Sequence, residues 1–416
     1  MGQFARWLPD FGWDVTVLTA RKSSRAAIDG VALAALGTEV QVIETRAPTS
    51  MIDIRGSAVG SGGLRGGVRR ALKVAMRSLL FPDREVLWVP GAIAAGRRAL
   101  GTQRFDAVLA TYGPASNLLV GHALARSAGI PLVLDFRDLW STLPMPVFAS
   151  AAHRLLARRV ERWLVRDAAA VIGVAPAMAE HLVDVHGLPP DAGVSITNGF
   201  DPGDVAAAQD RRDLHDTTRP FRLVYTGSLH EHYDREPLWA ALRALAAGGK
   251  ITPETFRVEI VGNLAASEPQ RAGVSQFVEI HPFVPHAGVF DVLGRADAML
   301  LFETPGYYAT FGYAGKVFDY VLTGKPVLAL VEAGGNTARL LASLGVGHFA
   351  APGDVATTRA AIEAVLALRG AAPRPVDPEA SPLRSYNRRH LTERLAGVLD
   401  SAVDRRRGSP RRPEQR

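Results

Sequence analysis

Lys316 and Asp319 stand three residues apart in the stretch Gly315-Lys316-Val317-Phe318-Asp319-Tyr320-Val321-Leu322-Thr323-Gly324-Lys325-Pro326. On a helix that spacing puts an ammonium and a carboxylate on one face. A cation at a helix N-terminus suits a phosphate, because the first N–H groups are unsatisfied and carry partial positive charge. A carboxylate one turn later suits a sugar or ribose hydroxyl. Gly315 frees the backbone at the helix entry, Gly324 suits the left-handed position after it, and Pro326 prevents continuation. Val327 to Val331 then reads as a strand covered on both faces. The stretch points to a nucleotide-sugar site. The alternative is a surface Lys–Asp pair on an ordinary crossover helix.

A second constellation is Asp135-Phe136-Arg137-Asp138-Leu139-Trp140, directly after the apolar run Ile130 to Leu134. The end of a strand in an open α/β sheet is where ligands bind. A carboxylate there could orient or deprotonate a hydroxyl, and Arg137 could hold a phosphate through two N–H groups. An internal Arg–Asp pair fixing the loop is the other reading. Tyr112 and Ser116 lie on the turn before the helix of about 117–128 and are expected to face the crevice. His122, on that helix, reads as a packed or surface residue, and no Ser–His–Asp set is visible. Thr226-Gly227-Ser228-Leu229 follows another strand, so Gly227 and Ser228 can offer N–H groups and a hydroxyl to phosphate. His230-Glu231-His232-Tyr233-Asp234 lacks the helical spacing of a zinc motif and is read as a polar rim loop, with no metal predicted.

The elements that must position these groups alternate. Phe4 to Phe11 is helix-like, Gly12-Trp13 turns, and Val15 to Thr19 is a strand. Strands follow at Phe105–Thr111, Ile130–Asp135, Ala168–Val174 and Gly193–Thr197. A second series runs Arg222–Thr226, Arg257–Val261, Val278–His281, Ala298–Phe302 and Val327–Leu330. Alternation of this kind means βαβ units and parallel sheets. At 416 residues two domains are expected. They are read as 1–203 and 204–384, with 205–219 a polar linker, a helix over 385–403 and a disordered basic tail over 404–416.

The content of 47% hydrophobic and 21% charged residues is that of a globular chain. The absence of cysteine excludes disulfides, thiolate zinc sites and cysteine nucleophiles. No apolar run approaches the roughly 20 residues of a membrane-spanning helix. The net charge of +7 is uneven: residues 1–200 hold 22 basic against 16 acidic side chains, and residues 201–400 hold 20 against 23. An anionic partner for the first half follows. Nucleic-acid-reading modules are missing, so anionic lipid is preferred to nucleic acid. After the glycine-rich 56–67, residues 68–80 combine an apolar stripe with Arg69, Lys73 and Arg77. That is the pattern of a helix lying on a membrane, or of a surface helix with its stripe on the core.

The stretch Gly315–Leu330 resembles the signature of family 4 glycosyltransferases, retaining enzymes of the GT-B fold. Asp319 stands where that signature usually has Glu. Asp135–Trp140 is similar to the family's D-F-R-D-x-W, and Asn198-Gly199-Phe200-Asp201 to the segment closing its first domain. The resemblance covers about residues 4–365. It implies an α/β GT-B fold of two Rossmann-like domains facing a cleft, and sugar transfer with retention from a nucleoside-diphosphate sugar. The expected acceptor is a glycan or an isoprenoid-linked glycan of surface polysaccharide synthesis. It also implies a cytoplasmic enzyme, peripheral on the inner face of the plasma membrane, without metal or cofactor.

By this resemblance Asp138, Asp135 and Arg137 are the catalytic candidates, with Asp138 preferred. Gly227, Ser228, Gly312, Gly315, Lys316 and Asp319 bind the donor, while Tyr112 and Ser116 serve the acceptor. Three departures stand out. The family's first acid falls on Phe311, and its basic pair falls on Ser228 and Tyr233. The strand and Gly-rich loop that precede its first helix have no counterpart ahead of Phe4, so a start placed too late or a truncated chain is expected. A sugar-nucleotide epimerase and a non-catalytic GT-B protein are the alternatives.

Overall fold

The computed structural model describes residues 2–21, 36–47, 80–143, 148, 150–210, 218–229 and 232–408. The chain divides into two compact units, Met1–Ile196 with Thr392–Arg416, and Thr197–Leu391. The boundary expected after residue 203 thus differs from the one observed after Ile196. Phe200 accounts for the shift. It is buried in the core of the second unit, donating through its N–H to Tyr386 O at 3.0 Å and accepting from Arg388 N at 3.0 Å.

In the first unit, α1 (Gly2–Trp7) and a 3₁₀ turn ending at Gly12 (φ 82°) lead into β1 (Thr16–Arg21), which pairs in parallel with β2 (Gln41–Arg46). Then come α2 (Val89–Thr102), β3 (Val108–Thr111), α3 (Ser116–Ala128), β4 (Leu132–Phe136), α4 (Ala151–Arg166), β5 (Ala170–Gly173), α5 (Pro176–His186) and β6 (Gly193–Ser195). β3, β4, β5 and β6 form a four-stranded parallel sheet in that order. Among the described residues, β1 and β2 are not hydrogen-bonded to it. A cavity of about 340 Å³ adjoins both sheets, lined among others by Val17, Leu18, Trp88, Val108, Leu109 and Leu399. β4 is buried throughout, whereas most of β1 is only half-buried. α2 and α3 pack through Gly96, where a Cβ would lie 2.5 Å from a Leu124 methyl. Trp88, Ala92, Val120 and Leu124 form a core on which Leu18 and Val108 pack.

The second unit holds α6 (Pro202–Asp210), β7 (Phe221–Gly227), α7 (Glu236–Ala247), β8 (Phe256–Gly262), α8 (Ser267–Arg271), β9 (Val278–His281), α9 (Val289–Gly294) and β10 (Ala298–Phe302). It continues through α10 (Tyr307–Phe311), α11 (Val317–Leu322), β11 (Val327–Leu330), α12 (Asn336–Ser343), β12 (Gly347–Ala350) and α13 (Val355–Leu366). Its sheet is parallel throughout, in the order β12-β11-β10-β7-β8-β9. β10 and β11 are wholly buried, as their apolar runs predict. Gly324 takes the left-handed φ of 66° that ends α11, and a Cβ there would overlap the Arg374 carbonyl.

Two expectations are corrected. Residues 202–210 are helical and not linker, with Ala208 buried in the core of the second unit. Arg405 to Gly408 are the last turn of α14 (Arg388–Gly408), not tail; Arg405 donates to Ala169 O at 3.2 Å. Residues 56–79, with the expected basic helix, lie outside the described residues, as do 211–217 and 409–416.

Candidate functional site

The strand order of the second unit turns back between β7 and β10, because successive strands are added on opposite sides of that pair. Such a switch opens a crevice at the C-terminal ends of the two strands, and α/β sheets bind ligands there. The end of β7 is Gly227, with φ +100°. A Cβ on Gly227 would lie 2.8 Å from Lys316 Cε, and one on Gly262 would overlap the Gly227 carbonyl. Both glycines therefore serve close approach. Lys316 Nζ sits 4.8 Å from the Tyr225 ring centroid, a cation–π distance. Burial pushes the Lys316 ammonium below its ordinary value, and the Asp319 charge opposes that shift.

Asp319 turns elsewhere. No ion pair joins it to Lys316, so the surface-pair reading fails. Its carboxylate meets Asp204 and His286, whose ligating atoms all lie within 4.8 Å of one another. His286 Nε2 is 3.1 Å from Asp204 Oδ2. Burial pushes the Asp319 carboxyl up to about 6, with His286, Arg388 and Lys316 pulling it down and Asp204 adding to the rise. His286 is itself raised, first by its hydrogen bond to Asp204. Because α11 has only six residues, its dipole is short, and the Lys316 charge matters more for an anion than the helix end does.

Around the crevice the tyrosines are fixed. Tyr225 Oη donates to Ser228 O at 2.7 Å, which shapes the Gly227–Leu229 turn, and Leu229 N donates to Asn263 Oδ1 at 2.7 Å. Tyr320 Oη accepts from Thr226 N at 3.1 Å, and burial pushes its hydroxyl up to about 12. Gly315 and Gly312 differ from expectation. A Cβ at Gly315 would meet nothing, and its φ is ordinary, so no backbone constraint demands glycine there. Gly312 donates to Tyr308 O at 3.1 Å and accepts from Asn336 Nδ2 at 3.0 Å, so both backbone groups are engaged.

Glu303 has no role in the sequence reading, yet it follows β10 at the switch. It is buried, accepts from Thr337 Oγ1 at 2.5 Å, and leaves Oε2 without a partner. Burial raises its carboxyl. Tyr233, stacked 6.1 Å from Phe302, feels the Glu303 charge. An acid directly after a wholly apolar strand was the available signal. Asp204 and His286 carried none, since they reach Asp319 from 115 and 33 residues away in sequence. His230 and Glu231 lie outside the described residues; His232 packs on Tyr233 with ring centroids 4.7 Å apart.

In the first unit the candidates separate. Asp135 is buried at the end of β4. Arg137 grips both its oxygens, at 2.8 and 2.7 Å, and Thr111 Oγ1 donates to it at 2.9 Å. Arg137 also donates to Ile196 O at 3.3 Å and lies over the Phe4 ring. The internal-pair reading is the one the geometry favours for these two. Asp138 is different: it is exposed, no described residue bonds its carboxylate, and partial desolvation raises its carboxyl. Tyr112 stacks on Phe136 at 6.1 Å and Trp140 at 6.3 Å.

Ser116 does not face a crevice. It is fully buried, donating through Oγ to Asp83 Oδ1 at 2.6 Å and through N to Oδ2 at 2.9 Å. Its hydroxyl holds the segment before α2 to the start of α3. His122 is buried, 2.7 Å from Asp167 and packed on Trp163. Behind the Asp138 loop, buried Glu161 accepts from Ser141 N and Oγ at 2.8 and 2.9 Å and pairs with His186 at 2.8 Å.

Comparison with known proteins agrees with this architecture. No curated protein sequence matches the chain. The structure resembles the Anabaena protein HepE, solved with UDP, at 16% identity and a TM-score of 0.57, over 93% of this chain and 100% of that one. It resembles sucrose-phosphate synthase from Thermosynechococcus elongatus at 15% identity and a TM-score of 0.56, over 97% and 90%. WaaG, a glycosyltransferase involved in lipopolysaccharide biosynthesis, gives 16% identity and a TM-score of 0.52, over 98% and 95%. These likenesses show the fold: α/β, GT-B, with two Rossmann-like domains. Residues 1–199, just under half of the chain, match the family described as Glycosyl transferase 4-like domain.

Proposed function

We propose that the chain is a glycosyltransferase that takes a sugar from a nucleoside-diphosphate sugar and adds it, with retention, to a glycan or isoprenoid-linked acceptor of surface polysaccharide synthesis. The observation that carries this is the divergence of Lys316 and Asp319 at the β7/β10 switch. One turn of helix presents a cation beside Gly227 and a carboxylate beside His286. A nucleoside diphosphate needs both, an ammonium for its phosphates and an acceptor for its ribose hydroxyls. Lys316 takes the charge that the family's missing basic pair would supply, and Gly227 and Ser228 line the same phosphates. Glu303 takes the place of the acid absent at Phe311, its free oxygen accepting from a sugar hydroxyl.

Asp138 is the candidate to orient the acceptor hydroxyl, and Tyr112 adds an aromatic face beside it. In a retaining transfer the bond between anomeric carbon and phosphate breaks as the acceptor oxygen bonds to the same face. The departing diphosphate accepts the acceptor proton. No cofactor enters this scheme. The UDP in the HepE structure supports a uridine donor as the first to test, and the lipopolysaccharide role given for WaaG supports a glycan or lipid-linked acceptor.

The test is a thermal-shift panel of UDP-, GDP- and dTDP-sugars on wild type and Asp319→Ala. One nucleotide family should raise the melting temperature, and the variant should lose the rise. A panel with no shift sinks the donor site. A shift without transfer to any acceptor favours the non-catalytic reading, which the Ser228 and Tyr233 departures support. Interconversion of the sugar nucleotide without an acceptor would favour the epimerase.

A further inference from the structure

The first unit buries one face of α4 and leaves the other bare. Ala157, Glu161, Leu164 and Val165 form the buried face. At 100° per residue, the opposite face carries Leu155, Arg159, Arg162, Trp163 and Arg166, with Leu156 at one margin and Arg158 at the other. Leu155 is 61% exposed, Leu156 44% and Trp163 46%. Three of the nine large apolar side chains exposed among the described residues therefore fall within nine positions of one helix. Clustering of that kind marks a binding surface, where scattered exposed leucines would not.

Charge selects the partner. α4 holds five arginines, Arg154, Arg158, Arg159, Arg162 and Arg166, and its one acid, Glu161, is buried and bonded to Ser141 and His186. Asp167, just beyond the helix, is 2.7 Å from His122 and 3.8 Å from Arg126. None of the five arginines has a carboxylate partner among the described residues. Arg154 and Arg158, one turn apart, border a groove of about 480 Å³ with Ser150 and Leu155.

We propose that α4 is the surface by which this chain docks on an anionic lipid membrane. Leu155, Leu156 and Trp163 enter the boundary between headgroups and acyl chains. Arg158, Arg159, Arg162 and Arg166 lay their methylenes along it and pair with phosphates. A nucleic acid would use the arginines but leave the leucines idle, and a protein groove would not call for five unopposed cations. The inference deepens the reading of a membrane-borne acceptor. It adds a defined helix to the lipid contact expected at residues 68–80.

The test is co-sedimentation of the full chain with vesicles of phosphatidylcholine, alone or mixed with phosphatidylglycerol. The expected result is binding to the mixed vesicles, little to the neutral ones, and release by salt. Arg158→Glu with Arg159→Glu and Arg162→Glu should weaken binding at least about tenfold. Leu155→Ser with Leu156→Ser should weaken it as well. All five positions are exposed, and circular dichroism together with the nucleotide thermal shift reports that both units stay folded.

Equal binding to both vesicle types overturns the proposal. So does wild-type binding by either variant, or binding to DNA with no loss in the leucine variant. Vesicle binding without a nucleotide shift leaves α4 docking intact and removes the donor site. A nucleotide shift without vesicle binding does the reverse.

Discussion

The second unit leaves the groups at its strand ends open, while the first ties most of its own together. Lys316 and Asp319 stand at the end of an uninterrupted six-stranded sheet, neither in an ion pair with the other. Among the described residues of the first unit the sheet is in two parts, and Asp135 is held by Arg137 and Thr111, Ser116 by Asp83, and Glu161 by Ser141 and His186. A buried charge without a partner is costly, and a site can keep one only where the surrounding structure is over-determined. The continuous sheet supplies that surplus in the second unit. Where strand pairing is interrupted, polar side chains do the holding, and Asp138 alone of the charged trio after β4 stays uncommitted.

The comparison breaks most visibly at Asp135, at the end of β4, and Asp138, just after it. Asp135→Ala takes the buried carboxylate away from Arg137 and should cost about 3–5 kcal/mol, read as loss of amide protection in β3, β4 and β5. Asp138→Asn should change stability by no more than about 0.5 kcal/mol and abolish sugar transfer. Equal stability losses for the two variants would mean that the first unit does not depend on the internal pair.

A smaller effect is expected from protons at Asp319. Its folded-state pKa of about 6 lies above the ordinary carboxylate value, so the folded chain holds this proton more tightly than the unfolded chain does. The stability it contributes is therefore full below the ordinary carboxylate range and is lost as pH rises through about 6. Urea titrations on either side of that value should show the decline in wild type and its absence in Asp319→Asn. Nucleotide affinity should run the opposite way, falling about tenfold for each unit below the pKa, because the ribose hydroxyls need an ionised acceptor. Affinity independent of pH would place the ribose elsewhere.

The smallest effect concerns packing. Val17→Phe projects apolar volume into the 340 Å³ cavity of the first unit and should stabilise it by up to about 1 kcal/mol. Leu300→Phe, in the filled core of the second unit, should cost about 1–3 kcal/mol. Calorimetry of the two variants sharpens the contrast, and stabilisation by both would remove it.

Much of this was legible in the chain. Strands such as Ala298–Phe302 and Val327–Leu330 announce themselves as short apolar runs between turn residues, because parallel strands are buried on both faces. Gly324 was legible because only glycine takes its left-handed conformation cheaply. Ser116 was misread because its partner Asp83 lies 33 residues upstream, a pairing no local pattern encodes. The helix at 202–210 was missed because its weak apolar periodicity resembles that of a polar linker.

The sequence by itself determined the alternation of strands and helices, and the short segment that places Lys316 and Asp319 one turn apart. Those are local properties, set by side-chain period, glycine and proline. Only the tertiary structure decided that the two side chains diverge, Lys316 against Gly227 and Asp319 against His286. It likewise decided that Asp135 is spent on Arg137 while Asp138 is free, and that α4 turns its leucines and arginines outward. Spacing along a chain sets which groups are near one another. Burial and long-range contact set which of them are already satisfied, and only an unsatisfied group can act on a ligand.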